Sequence, residues 1–458
     1  MRKTKSLLCV LVFLLFLSSA VSCKKTDSGG SSSESPESVT IKWWSMKIFA
    51  SDGDAGSEKD SFVKELAEAY TASHSNVIID ISYLPYTYED ELAAAISSGE
   101  VPDVVFARPG LDKVLEGQKL ADLSGIISPE IPAEASAADS SGEKTKAALP
   151  IDIPEPILKA ASADGGKTYN FYPVAVSPYL MAFNKNILEV AGALSLLPKL
   201  DGNRSWTMEE YKALLKELAE KLPDSTDTGI FFYGSTAGSV ATQSLAENAF
   251  GSQLASINDA NGVKALGELK ALVDDGLLLN GYSAQAEDSV SAFIEGSLAH
   301  SLIYTLGYDL NYKEAKKDNF NAIFMPYPSS GDPKLYYTLL GASVIDSGDA
   351  ARTSAAIDFV NFIANDPIYS PEVAGRSGSL SANKNNNAFI QSGDYQYLIK
   401  TLDMLGDYKN GAQSEEVKTA WVNTLRDVFT PDLVEKSSGR EIDISSSLDQ
   451  FVKTVAEK

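Results

Sequence analysis

Trp43 and Trp44 stand side by side in the stretch Thr40-Ile41-Lys42-Trp43-Trp44-Ser45-Met46. Each indole can offer a ligand a broad apolar face and one N–H donor. The stretch reads as a first β-strand, Val39 to Trp44, and neighbouring side chains on a strand point to opposite faces. Val39, Ile41 and Trp43 share one face, which assigns Trp43 to the core. Trp44, the last residue of the expected strand, is left at the rim, where it can meet a ligand.

Catalytic chemistry finds little to work with. The only histidines are His74 and His300, and neither falls in a Ser, Asp or Cys pattern with triad character. His74 lies at a helix end before a strand, and His300 occupies an apolar-periodic position. Gly165-Gly166-Lys167-Thr168 has the tail of a phosphate loop, but Ala161 stands where that motif needs glycine. Asp52-Gly53-Asp54-Ala55-Gly56 fails the spacing of a calcium loop. The 62 acidic residues single out no pair at hydrolytic spacing. No catalytic residue, metal site or cofactor is expected.

The elements that must position Trp44 alternate clearly. Residues 58–72 carry Phe62, Leu66, Ala69 and Tyr70 at helical spacing, and Val77 to Tyr83 is a second strand. Residues 88–98 form a second helix stopped by Gly99, and Asp103 to Ala107 is a third strand. This βαβαβ order predicts a parallel sheet with right-handed crossovers. Ligands of open parallel sheets bind outside the carboxyl ends of the strands, which here points to loops 45–57, 84–87 and 107–111. Farther along, 171–185 is extended and apolar, a long helical region runs to about residue 310, and 319–327 and 336–345 are further strands. Ala350 to Ala364 is an amphipathic helix, and the last hundred residues read mainly helical.

The first residues read as a leader. Arg2, Lys3 and Lys5 precede the apolar run Leu7 to Leu17, which is short for a bilayer span, and then small residues lead to Cys23. Ala20-Val21-Ser22-Cys23 resembles a bacterial lipoprotein box, with Ala20 where Leu is usual. That resemblance implies cleavage before Cys23 and acylation of its thiol. Ser-, Gly- and Glu-rich residues 24–38 then form a flexible tether. Cys9 falls in the leader, so the mature chain has no partner for a disulfide. The net charge of −23, deepened by three when the leader leaves, argues against nucleic acid as a partner.

Several segments in order resemble the extracellular solute-binding proteins of ATP-driven importers (family 1), which include maltose-binding and other sugar-binding proteins. They are FVKELAEAYTASHSNVIIDISYL (62–84), SSGEVPDVVFA (97–107), GKTYNFYPVAVSPYLMAFNKNILEVAG (166–192), SWTMEEYKALLKELAEKL (205–222), SAFIEGSLAHSLI (291–303) and GASVIDSGDAARTSAAIDFVNFIAND (341–366). The resemblance implies an α/β chain of two lobes, a Venus flytrap of periplasmic-binding-protein type II with a helix-rich second lobe. Its hinge strands would lie near residues 173–180 and 323–328. The expected organisation is a signal peptide (1–22), a lipidated cysteine and tether (23–38), lobe 1 (39–173 plus 328–365) and lobe 2 (174–327 plus 366–458).

The implied ligand is a small solute, with a mono- or oligosaccharide first and a cationic solute or peptide as the alternative. A secreted carbohydrate-active enzyme is the competing class. Other implied partners are the transmembrane subunits of a permease and, through acylated Cys23, the membrane on its extracytoplasmic side. Site residues expected at the cleft are Trp44, Tyr86, Arg108, Tyr179, Tyr233, Tyr304, Tyr308 and Arg376. Tyr304 or Tyr308 would replace a tryptophan that the family often has after the Phe-x-x-Gly-x-x-Ala segment. Arg376 would lie where a loop returns to the cleft. Trp206 is set aside, because it and Tyr211 bracket a Thr207/Glu210 capping box as a hydrophobic staple; Trp421, in a helical pattern, is expected in the core.

Overall fold

β-Branched and aromatic residues dominate VTIKWWSM, and they build strand β1 (Val39–Met46). The strand outruns expectation by two residues, because partners are present on both sides: Ser45 and Met46 pair with Tyr83 and Leu84, and Ser45 also opposes Phe106. Helix α1 (Lys59–Ser73) follows, then β2 (Val77–Leu84), α2 (Glu89–Ser98) and β3 (Val104–Ala107). Gly99 ends α2 at φ 86°, the left-handed cap for which glycine is suited. β1 pairs in parallel with both β2 and β3, as the βαβαβ pattern predicts. The computed structural model describes residues 38–456 except 47–58, 85–87, 112–113, 116, 128–149, 163–167, 232–235, 282–285, 312–319, 388–392, 408–414 and 431–442. The leader, Cys23 and tether residues 24–37 lie outside the described residues.

Three more strands complete the first sheet. β4 (Tyr172–Pro178) and β10 (Tyr337–Val344) run antiparallel to one another, β10 also pairs with β3, and β11 (Leu380–Ser381) joins β4. The order is β11-β4-β10-β3-β1-β2. Trp43 packs edge-on against Phe359, 5.0 Å away on α11 (Ala350–Asn365), on one face. Trp44 sits on the other face, half-buried against the cluster that includes Met46, Leu84, Tyr88 and Val105. The pair therefore serves two faces of one sheet.

A second sheet, β8-β5-β9, is antiparallel: β5 (Leu180–Asn184), β8 (His300–Tyr304) and β9 (Ala322–Met325). A separate parallel pair joins β6 (Ile230–Phe231) and β7 (Leu279–Asn280). β6, β7 and β8 interrupt the stretch expected to be helical up to residue 310. Helices surround these strands: α6 (Met208–Lys221), α7 (Thr236–Phe250), α8 (Ala260–Asp274), α14 (Glu415–Phe429) and α15 (Ile444–Ala456) share a core with Phe183, Met325 and Trp421. β4 carries the first sheet to Pro178, and α12 (Tyr369–Arg376) with β11 packs on β4. No helix among the described residues is long and apolar enough to cross a membrane.

His300 anchors the second core, as its apolar spacing suggested. It is fully buried and stacked on Phe183 at 5.0 Å. Its Nδ1 lies 2.7 Å from the Thr228 carbonyl, which can only accept, so Nδ1 carries the proton and Nε2 accepts from the Tyr211 hydroxyl at 2.9 Å. Burial pushes the imidazole down from 6.5 to about 4. The unfolded chain thus binds a proton first as pH falls. Stability is whole above about pH 6.5 and declines toward pH 4, by on the order of 3 kcal/mol in total. Urea midpoints measured across that window check this, and the slope flattens in His300→Gln if His300 is its source.

Candidate functional site

The carboxyl ends of β1, β2 and β3 lie at Met46, Leu84 and Ala107, on one edge of the first sheet. Arg108 comes directly after β3, and its guanidinium lies 5.8 Å from the centroid of the Tyr88 ring. Tyr88 is 2% exposed and precedes the first residue of α2. Burial raises its phenol above the ordinary value, while the positive charge of Arg108 pulls the other way. Trp44 belongs to the same apolar cluster as Tyr88. Trp44 and Arg108 are therefore brought toward a common buried ring that sequence reasoning passed over. The signal was its place two residues after Tyr86, at the junction of loop and helix. Tyr86 itself lies outside the described residues.

Two glycines bring together the backbone just after Arg376 and the backbone just before Tyr308. Arg376 ends α12, exposed, with its guanidinium 4.4 Å from the Phe62 ring centroid and its Nε 3.4 Å from Glu372. Two residues on, Gly378 has φ +66°, and a Cβ there would lie 2.6 Å from the Gly307 Cα. Glycine is required at this approach, since no side chain fits and the backbone is left-handed. Gly307 belongs to α10 (Leu306–Asn311), whose Tyr308 is half-buried and whose amide donates to Thr305 Oγ1 at 3.2 Å. The turn after α12, which packs on the first sheet, thus touches the start of α10, the helix that follows β8 of the second.

Tyr304 requires a correction. Its side chain is completely buried, packed between Phe293 and Phe324, and its hydroxyl donates to Asp309 at 3.0 Å. Asp309 also accepts from Tyr395, so the hydroxyl belongs to an internal network. A ring with no exposed surface cannot stack on a ligand, and Tyr304 leaves the candidate set. Tyr179 stays half-buried between the two sheets, grouped with Ile230 and Val240 around Ile303. Tyr233 lies outside the described residues. Trp206 performs the expected capping work: the Thr207/Glu210 box is formed, Tyr211 lies 5.4 Å away edge-on, and Nε1 donates to the Pro326 carbonyl. Trp421 is buried.

The arrangement offers aromatic surface, one guanidinium at the end of β3 and one at the end of α12, groups that suit hydroxyl-bearing ligands with apolar faces. A largely apolar cavity of about 260 Å³, lined in part by Ile187, Leu222 and Phe320, lies at the opposite end of β5 from Tyr179. Among the described residues no group of three or more His, Cys, Asp or Glu is placed to hold a metal ion.

The model of a family described as bacterial extracellular solute-binding protein matches residues 65–421. Among solved structures, the sugar-binding protein MalE of Xanthomonas citri aligns with a TM-score of 0.69 at 14% identity, over 91% of this chain and 96% of that one. The GacH receptor of Streptomyces glaucescens, solved unliganded and with acarbose and an acarbose homolog, aligns at 0.63 and 15% identity, covering 92% and 98%. The cyclic α-maltosyl-1,6-maltose binding protein of Arthrobacter globiformis aligns at 0.63 and 19% identity, covering 91% and 99%. Likeness at these identities is one of fold, the two-lobed α/β architecture. Among curated proteins, none matches by sequence.

Proposed function

Because this chain belongs to the bacterial extracellular solute-binding proteins, a family of binding proteins and not of enzymes, we propose that it captures a mono- or oligosaccharide between its lobes and delivers it to a membrane permease. Acylated Cys23 would hold it at the membrane, with residues 24–38 as the tether. The observation that carries the reading is the family match over residues 65–421; Trp44 and Arg108 around Tyr88, and Tyr179 beside Ile303, are the side chains we assign to the ligand. The neighbours above are a sugar-binding protein, a receptor solved with acarbose and a cyclic α-maltosyl-1,6-maltose binding protein, which supports a saccharide as the ligand class. Ligand touching both lobes would favour the closed arrangement only by its extra affinity for it.

Thermal or denaturant unfolding with maltooligosaccharides, acarbose, short peptides and polyamines tests the proposal. A saccharide at 100 times its Kd is expected to add about 2.7 kcal/mol to stability. Stabilisation by peptides or polyamines with none by any saccharide would replace the ligand class, and conversion of a labelled saccharide to product would defeat the reading altogether.

A further inference from the structure

The chain leaves the first sheet at Pro178, enters the second at Leu180, and returns between Met325 and Tyr337. These two crossings are bonded side by side, with the Tyr179 amide donating to the Tyr336 carbonyl at 2.8 Å. A third segment joins them, because the Leu335 amide donates to the Met404 carbonyl and the Gly406 amide to the Leu335 carbonyl, at 2.8 and 2.9 Å.

The returning crossing is held almost to its end by the second lobe. The Ser329 amide donates to the Trp206 carbonyl at 2.7 Å, and the Ser330 amide to the Asn248 carbonyl at 2.9 Å. The buried Asn248 carboxamide grips Lys334 in both directions: Nδ2 donates to its carbonyl at 2.8 Å, and Oδ1 accepts its amide at 2.6 Å. The buried Tyr336 hydroxyl donates to the Glu247 carboxylate. Glu247 and Asn248 both lie near the end of α7, a helix of the second core. The next residue is held by the other lobe. Tyr337 begins β10, opposes Pro178 in the first sheet, and its hydroxyl donates to the Pro156 carbonyl at 3.2 Å. Pro156 is in the short helix Glu155–Ala161, which packs on β4. Alternation along an extended chain lets neighbouring tyrosines be anchored on different bodies.

We propose that the Tyr336–Tyr337 peptide, with the bonded Tyr179 link beside it, is the pivot between the lobes, and that Glu247 is a positioning residue whose grip on Tyr336 sets their resting balance. The consequence for affinity rests on the function proposed above. Apparent affinity scales with the fraction of molecules already competent to bind, so loosening the grip weakens binding without touching the ligand.

The test places spin labels on the exposed positions Glu68→Cys and Lys216→Cys, one per lobe, in the mature chain carrying Cys23→Ser, which has no other cysteine. Distances are measured first without ligand. Tyr336→Phe and Glu247→Leu are each expected to broaden the distribution, and the combined variant to broaden it no further, because both break one contact. Glu247→Gln keeps an acceptor and stays close to the parent. Tyr172→Phe removes another buried hydroxyl bond, to Asn365 at 2.7 Å, but entirely within the first lobe, and leaves the distribution unchanged. For a saccharide that binds, the apparent Kd of Tyr336→Phe rises by about tenfold, the order expected for a hydrogen bond to a charged group. The parent distribution in Tyr336→Phe and Glu247→Leu, or equal broadening in Tyr172→Phe, would overturn the pivot. The ligand-free arm judges the pivot even if no saccharide binds, a result that would count against the ligand class alone.

Discussion

Trp43→Ala is expected to destabilise the protein by about 3–5 kcal/mol, the usual cost of emptying a large aromatic site in a packed core. Trp43 has no exposed surface, packs edge-on against Phe359, and joins a cluster with Ile41, Phe62, Leu66 and Tyr70. Truncation would open a cavity between the sheet and α11, with backbone on both sides that cannot collapse into it. Trp44→Ala is expected to lose only about 1–2 kcal/mol, because that ring is half-buried. A third variant separates volume from polarity. The Trp43 Nε1 is buried and has no hydrogen-bond partner among the described residues. Trp43→Phe discards that orphan donor and keeps most of the ring, so it should fall far short of the alanine cost. Chemical denaturation of the three variants gives the comparison. Equal losses for Trp43→Ala and Trp44→Ala would contradict the division of the pair between a closed face and a half-open one.

Gly341→Ala should be at least as damaging, about 4 kcal/mol or more, the range reserved for clashes that the backbone cannot relieve. Between Leu340 and Gly341 the register of β10 against β4 slips, a bulge of the kind at which glycine recurs. A Cβ on Gly341 would sit 2.0 Å from the Tyr172 carbonyl oxygen and 2.7 Å from Phe171 Cζ. The phenyl ring can swing, but the carbonyl belongs to the neighbouring strand. The site should register the change too. Gly341 opposes Ala107, the residue before Arg108, so displacing β10 moves the base on which that guanidinium stands. Gly331→Ala is the control, since a Cβ there meets nothing within 4 Å, and its effect should stay within about 0.5 kcal/mol. Melting temperatures of the two variants decide the matter; a Gly341→Ala protein as stable as the parent would mean that β10 and β4 can separate locally at no cost.

Local pattern carried much of the fold. The βαβαβ alternation of residues 39–107 specified the parallel strands, because hydrophobic period and helix stops such as Gly99 act over a few residues. The capping box at Thr207 and the core placement of His300 were legible for the same reason. Strands β8 and β11 were not. His300–Tyr304 is apolar enough to suit a buried helix or a buried strand, and only pairing with β5 decides between them. Leu380–Ser381 is two residues long and exists because β4, two hundred positions earlier in the chain, offers it a free edge. That pairing is what draws α12 and Arg376 to the first sheet.

The candidate site divides along the same line. By itself, the amino-acid sequence determined the family, through motifs kept in order along most of the chain, and the parallel core of the first sheet and the opposite facing of Trp43 and Trp44, which follow from residue order within a short span. Tertiary structure alone decided that Tyr304 is sealed among Phe293, Phe324 and Asp309, that Tyr88 lies beneath Arg108, and that Gly307 meets Gly378. A tyrosine carries the same apolar body and polar tip whether it lines a cleft or fills a core. Which of the two it does depends on partners supplied by distant parts of the chain, and local sequence holds no record of them.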